Sequence, residues 1–398
     1  MNFLFGEKEE RLRSEIREFV KENMPPDYIG NMFVEEESDE GWDFAMSMAR
    51  KMAQKKWLVM SWPEEYGGMG ASTWERVVLA EEAAYWGIPG LSMGISGTAW
   101  VGPTLMISGT KDQQDRFLPP IAAGEPDGVW CTGYSEPDAG SDLASLQTRA
   151  VRDGNEYIIN GQKVWTSCAH LARWMWLICR TNPDAKKKHQ GLSIFMVDMR
   201  SEGLTVNPLR NLVGGHVFNE VFFKDVRVPA ENLVGRENEG WHQLMTALGF
   251  ERGIAISFTA SIRRKFDALV EYVKDAGLMS RLRVRAQLAE LAVDIETARL
   301  LAYEPVCLAE EGIMNVHAAS RDKANIDHLH EKLARVGTEI LGAYSQLDYL
   351  HKDSKWTKLG GTFEHLYYYN VGMAIAAGTT YVQKNIVGQF GLQLPRSY

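Results

Sequence analysis

The chain has 398 residues, 45% hydrophobic and 24% charged, an ordinary globular composition with length enough for two or three domains. A net charge of -9 carries no electrostatic footprint for nucleic acid. No apolar run reaches the roughly 18 residues of a membrane span, and the N-terminus lacks a signal-peptide core, so a cytoplasmic protein with no membrane partner is expected.

From Glu9 to Met24 the apolar residues Leu12, Ile16, Phe19 and Val20 recur at helical spacing, and the same pattern returns over Gly41–Lys55 and Thr73–Trp86. The first third therefore reads as helical. Breakers cluster at Pro63, Gly67, Gly68 and Gly70, then at Pro119, Pro120, Gly124 and Pro126, where helices are expected to give way to strands. Tyr157–Ile159 and Gln162–Trp165, joined by Asn160-Gly161, predict a hairpin with a type I′ turn, since Asn-Gly tolerates the positive φ angles that turn requires. Trp174–Cys179, Leu192–Asp198 and Val217–Val228 are rich in β-branched and aromatic residues and predict further strands. The basic run Lys186-Lys187-Lys188-His189 between two of them reads as a solvated loop. Helices resume at Glu237. Between Leu244 and Ile262 the residues Met245, Ala247, Leu248, Phe250, Ile254, Ala255, Ile256, Phe258 and Ala260 leave no polar stripe, which predicts a buried helix with Glu251 as its lone acid. Val284–Leu301 follows, with Leu288, Leu291, Ala292, Ile295 and Ala298 on one face.

Cys131, Cys168, Cys179 and Cys307 form no CxxC pair, so reduced thiols are expected. The histidines show no HExxH, His328-Leu329-His330 alone is weak evidence, and no metal is expected. GxxxxGK[ST] is absent, and Gly67-Gly68-Met69-Gly70 lacks the third glycine of a dinucleotide fingerprint.

The order of helices, small β domain and helices resembles the acyl-CoA dehydrogenase family along essentially the whole chain. Ser135-Glu136-Pro137-Asp138-Ala139-Gly140-Ser141-Asp142 resembles the family's TEPxAGSD segment, and Asn160-Gly161-Gln162-Lys163-Val164-Trp165-Thr166-Ser167 resembles NGxKxWIT. Trp62-Pro63-Glu64-Glu65-Tyr66-Gly67-Gly68, Phe117-Leu118-Pro119-Pro120, Phe218-Asn219-Glu220-Val221-Phe222-Phe223, Val226-Arg227-Val228-Pro229 and Gly378-Thr379 fit as well. The resemblance implies an α+β fold with an N-terminal helical domain (1–127), a central small β-barrel or sandwich domain (128–236) and a C-terminal four-helix bundle (237–398). It also implies FAD, an acyl-CoA desaturated between its α and β carbons, electron-transfer flavoprotein as electron acceptor, and assembly near four chains. A carboxylate must take the α proton as the β hydride leaves.

By the same resemblance Thr132, Tyr134 and Ser135 would meet the pyrimidine end of the flavin, Trp165 and Ser167 would flank it, and Thr379 would lie in the cofactor site. Ser167 stands where threonine is usual and keeps the hydroxyl donor. Ser141 matches the serine that meets the pantetheine arm. On chemistry alone, Trp165 also reads as a hairpin core aromatic and Ser141 as a turn residue.

Most family members carry the base in a Tyr-Glu-Gly-Thr segment, matched here by Ala376-Ala377-Gly378-Thr379, and alanine cannot take a proton. A minority place it on the first helix after the β domain, just before an arginine, and Glu251-Arg252 matches that position. Desolvation there would raise the Glu251 pKa toward working pH. The other reading is a buried Glu251 satisfied structurally. Ala377 retains the backbone N–H that serves as oxyanion donor, and the small residues beside it suggest a branched, cyclic or bulky acyl group. The second half of the FAD site departs from the pattern. Glu271–Leu278 lacks the pyrophosphate-binding arginine and phenylalanine, with Arg281 or Arg283 as possible substitutes. Glu339-Ile340-Leu341-Gly342-Ala343 replaces the glutamine-bearing QIxGG segment, and Tyr381 replaces a later glutamine. Such a pattern resembles a branch in which two paralogous chains build one enzyme. The competing functions are a catalytically silent, flavin-poor partner subunit, and an oxidase that passes electrons to oxygen.

Overall fold

The computed structural model describes residues 5–26, 28–29, 38–90, 95–249, 254–313, 315, 317–348 and 354–395. It divides into two compact units, one holding residues 5–29, 72–88 and 254–395 and the other 38–71 and 89–249, among those described.

The second unit is built on a seven-stranded sheet, β1 (Trp130–Gly133), β2 (Arg149–Asp153), β3 (Glu156–Lys163), β4 (Trp174–Arg180), β5 (Leu192–Asp198), β6 (Leu204–Leu209) and β7 (Phe218–Pro229), in the order β1-β4-β2-β3-β7-β6 with β5 also paired to β4. All seven residues of β4 are buried because both its faces are covered. Trp174, Trp176 and Ile178 join Trp62, Phe117, Trp130 and Leu244 in one core, while the alternate residues Met175, Leu177 and Cys179 join Tyr157, Ile159, Phe195, Val221 and Phe223 in another. Four of the unit's helices are α2 (Asp39–Gln54), α4 (Gly102–Ser108), α5 (Lys111–Ala123) and α6 (Gly240–Gly249).

One expectation fails here for an identifiable reason. Asn160-Gly161 is not a turn: β3 runs straight through it, and the β2–β3 hairpin turns instead at Gly154-Asn155. The register against β7 slips between Ile159 and Gly161, so the pair marks a β-bulge. Asn160 closes the bulge through its side chain, donating to Asp225 Oδ1 at 3.0 Å and accepting the Asp225 N–H at 2.9 Å. A Cβ at Gly161 would lie 2.7 Å from Thr148 Cα, so close backbone approach demands glycine. The expected change from helix to strand is found: α5 runs through Pro119 and Pro120 and stops at Gly124, in the left-handed region at φ 65°, and β1 begins at Trp130.

The first unit is helical: α1 (Glu7–Asn23), α3 (Thr73–Trp86), α7 (Ile254–Asp275), α8 (Leu282–Glu310), α9 (Ala318–Leu341), α10 (Thr362–Met373) and α11 (Thr380–Ile386). The predicted face of α1, Leu12, Ile16, Phe19 and Val20, is buried. Arg13 and Arg17 fasten α1 to Glu82 on α3. α7 to α10 make the C-terminal bundle, around Ile262, Leu269, Leu291, Ile295, Leu333 and Phe363. The apolar stretch from Leu244 to Ile262 is less uniformly buried than its composition predicts, since Met245 is 44% exposed. Phe250, Glu251 and Arg252 lie outside the described residues. All four cysteines are buried and none forms a disulfide.

Candidate active site

In the β unit, one buried lysine organises the segment expected to meet the flavin. β1 ends at Gly133 close over Met175 and Leu177, where a Cβ would come within 2.7 Å of either side chain. The chain then passes Tyr134, Ser135 and Glu136. Lys163, wholly enclosed at the end of β3, donates to the Tyr134 carbonyl and to Glu136 Oε1, each at 2.9 Å. Ser135 accepts the Val164 N–H at 2.9 Å, and Glu136 also accepts the Gln147 and Thr148 N–H groups at 2.6 and 2.9 Å. Burial alone would raise the Glu136 carboxyl, but the Lys163 ammonium and these N–H donors outweigh it and hold the group below its ordinary value. Burial pulls Lys163 below its ordinary value. A charged pair with its remaining valences used by main chain fixes geometry more than it adds stability.

Immediately after Val164 the chain turns outward. Trp165 takes a positive φ of 58°, is 61% exposed and rests edge-on against Phe218, with ring centroids 5.9 Å apart. That exposure removes the core-aromatic reading. Thr166 is clamped by Asn219, whose carbonyl accepts its N–H at 3.0 Å and whose buried amide donates to its carbonyl at 3.1 Å. Ser167 follows, half-buried. The hydrogen bonds of Lys163 and Val164 thus bring Tyr134 and Ser135 to the segment that carries Trp165 and Ser167, and Thr132 lies half-buried on β1. A rigid, exposed aromatic face beside hydroxyl and main-chain groups suits a flavin ring, so this end fits FAD. Ser141 is exposed on the loop that follows the Glu136–Ala139 bridge.

In the helical unit, Ala377 and Thr379 share the turn between α10 and α11. Thr379 caps α11, its Oγ1 accepting the Val382 N–H at 3.1 Å. Ala377 is exposed, in the left-handed region at φ 53°, with its carbonyl accepting from Gln383 Nε2 at 2.9 Å. Among the described residues no hydrogen bond takes up its N–H. Near the expected pyrophosphate end, the exposed Arg283 pairs with Glu339 at 3.0 Å and Tyr381 is 78% exposed.

Lys163, Glu136 and Asn219 stand in the sequence only as motif members with no role assigned, yet their hydrogen bonds hold Tyr134 and Thr166 in place. The available signal was a lysine inside a strand that is otherwise apolar on its inward face.

Three family models match consecutive parts of the chain: acyl-CoA dehydrogenase N-terminal domain over residues 6–125, middle domain over 131–226 and C-terminal domain over 238–392. Among curated relatives, acyl-CoA dehydrogenase FadE26 of Mycobacterium tuberculosis is 34% identical with both chains fully covered, and the short-chain acyl-CoA dehydrogenase of Clostridium acetobutylicum is 27% identical over 90% of this chain and 95% of its own. Among solved structures, the ChsE4-ChsE5 complex from Mycobacterium tuberculosis superposes with a TM-score of 0.87 at 32% identity, and the Tcur3481-Tcur3483 steroid acyl-CoA dehydrogenase with 0.87 at 33%, each covering all of both chains. With the three family models matched in order along nearly its whole length, the chain belongs to the acyl-CoA dehydrogenase family.

Proposed function

We propose that the chain is the base-bearing subunit of an FAD-dependent acyl-CoA dehydrogenase that desaturates a branched, cyclic or bulky acyl-CoA between its α and β carbons. The observation that carries this reading is the Ala377 turn, which presents a backbone N–H with no carboxylate beside it in Ala376-Ala377-Gly378. Proton abstraction then needs a carboxylate from elsewhere, and Glu251, followed by Arg252, is the candidate. In this mechanism Glu251 takes the α proton. The Ala377 N–H stabilises the charge that builds on the thioester oxygen, an oxyanion donor being worth about 2.7 to 4 kcal/mol. Tyr134, Ser135, Trp165, Ser167, Thr132 and Thr379 hold the cofactor, and Ser141 meets the pantetheine arm. FAD, the cofactor of this family, supplies the hydride acceptor, and electron-transfer flavoprotein is the proposed destination of the electrons.

The two-chain names among the similar structures, the ChsE4-ChsE5 complex and the Tcur3481-Tcur3483 steroid acyl-CoA dehydrogenase, support assembly with a paralogous chain. So does the absence of an arginine-phenylalanine pair from Glu271–Leu278. The same observations favour a second reading, a scaffold subunit without catalysis of its own. Glu251→Gln separates the two in the assembled enzyme. Turnover of a CoA thioester falling by about 100-fold or more supports the base, a general base contributing ~10²–10⁴. Unchanged turnover makes the chain structural.

A further inference from the structure

The turn that carries Ala377 has both ends fastened to one buried ion pair. On α9, Lys323 and Asp327 stand one helical turn apart, with Lys323 Nζ 2.7 and 2.8 Å from the two carboxylate oxygens. Their side chains are 10% and 2% exposed. The pair's remaining valences leave the helix. Lys323 Nζ donates to the Met373 carbonyl at 2.9 Å, where α10 ends, and Thr380 Oγ1 donates to Asp327 Oδ2 at 2.7 Å, where α11 begins. Between these anchors Ala374–Thr379 runs partly or fully exposed, closed on itself by the Thr380 N–H to the Ala374 carbonyl at 3.0 Å and by Gln383 to Ala377. An ion pair at this spacing on a helix surface supports only its own helix. This one holds the entry and the exit of a neighbouring turn.

We propose that Lys323, Asp327 and Thr380 are positioning residues that fix the Ala377 N–H for the thioester oxygen; the inference rests on the oxyanion role assigned to that N–H above. As the α proton leaves, its electron pair moves toward the carbonyl and charge collects on the oxygen. A donor gains most there if it is already in place, because the gain is realised in the transition state more than in the bound substrate. Loosening the turn therefore lowers kcat and leaves KM nearly unchanged.

The test uses the enzyme assembled with its native partners and a panel of straight-chain, branched, cyclic and steroid-carboxyl CoA thioesters, with kinetics taken on whichever the wild type turns over best. Thr380→Val removes one anchor while keeping the ion pair and the side-chain size; Thr380→Ser keeps the hydroxyl. The expected result is a kcat lower by about 10-fold in Thr380→Val, since small misplacements cost up to ~10²-fold, at near-constant KM and FAD content, with wild-type behaviour in Thr380→Ser. Lys323→Met, if it folds, loses more of the same parameter. The inference is overturned if kcat is unchanged in Thr380→Val, or falls only together with FAD content and is not restored by serine. A wild-type enzyme inert toward every thioester in the panel would sink the acyl-CoA reading itself, and the positioning role with it.

Discussion

Lys163 and Trp165 lie two positions apart and have opposite surroundings, one wholly enclosed and the other 61% exposed. Lys163 was visible in the sequence only as part of a motif, because its role depends on Tyr134 and Glu136, which the fold brings to it from another segment. Its removal makes a sharp prediction. Lys163→Met leaves Glu136 buried without its ammonium, a change that costs about 3 to 5 kcal/mol when one member of a buried pair is lost, and FAD affinity should fall with it. The double variant Lys163→Met with Glu136→Gln removes the stranded charge and should recover a substantial part of the loss. Chemical denaturation of the three proteins checks this; a double variant less stable than the single one contradicts it. Trp165 was legible in its type but not its setting. Its outward direction comes from a positive φ that nothing in its identity announces.

At the scale of elements, α1 and α3 followed their periodicity, and β4, β5 and β7 their β-branched and aromatic composition, to within a residue or two, because burial leaves a direct record in the sequence. Local signals misled where tertiary contact outweighed them. Asn160-Gly161 has turn chemistry, yet the crowding of Gly161 against Thr148 makes it a bulge. The short strand β6 and the parallel strand β1 have no alternation long enough to read. α9 and α10 carry a consequence for pH. His330 and His365 are buried beside Lys265, and burial first, then lysine charge, lowers them to about 3 and about 4. Unfolded histidines take up protons near pH 6.5 while these two stay neutral. The stability they contribute is therefore complete above that pH and is lost as pH falls toward 4, at about 1.4 kcal/mol per pH unit for each group. Thermal melts across that window should decline steeply in the wild type and more gently in His330→Leu. Parallel profiles would show that His330 is not neutral in the folded protein.

For the molecule as a whole, the order of helices, sheet and helices was readable from periodicity, while family membership rested on motifs that composition alone would not distinguish. Two features support the proposed incomplete ADP end: the missing arginine-phenylalanine segment and the exposed Tyr381. The protein purified alone with excess FAD should accordingly hold well under one flavin per chain, and a paralogous partner should raise the ratio. Full FAD occupancy in a homo-oligomer would refute the two-chain assembly. Glu251 stands at the centre of the account, and the most direct measurement is exchange of the α hydrogen of a bound acyl-CoA with deuterated solvent, which reports the base apart from electron transfer. The assembled wild-type enzyme is predicted to exchange it, and Glu251→Gln to slow that exchange by about 100-fold or more. Exchange that persists at the wild-type rate in Glu251→Gln would place the base elsewhere and contradict the proposed mechanism.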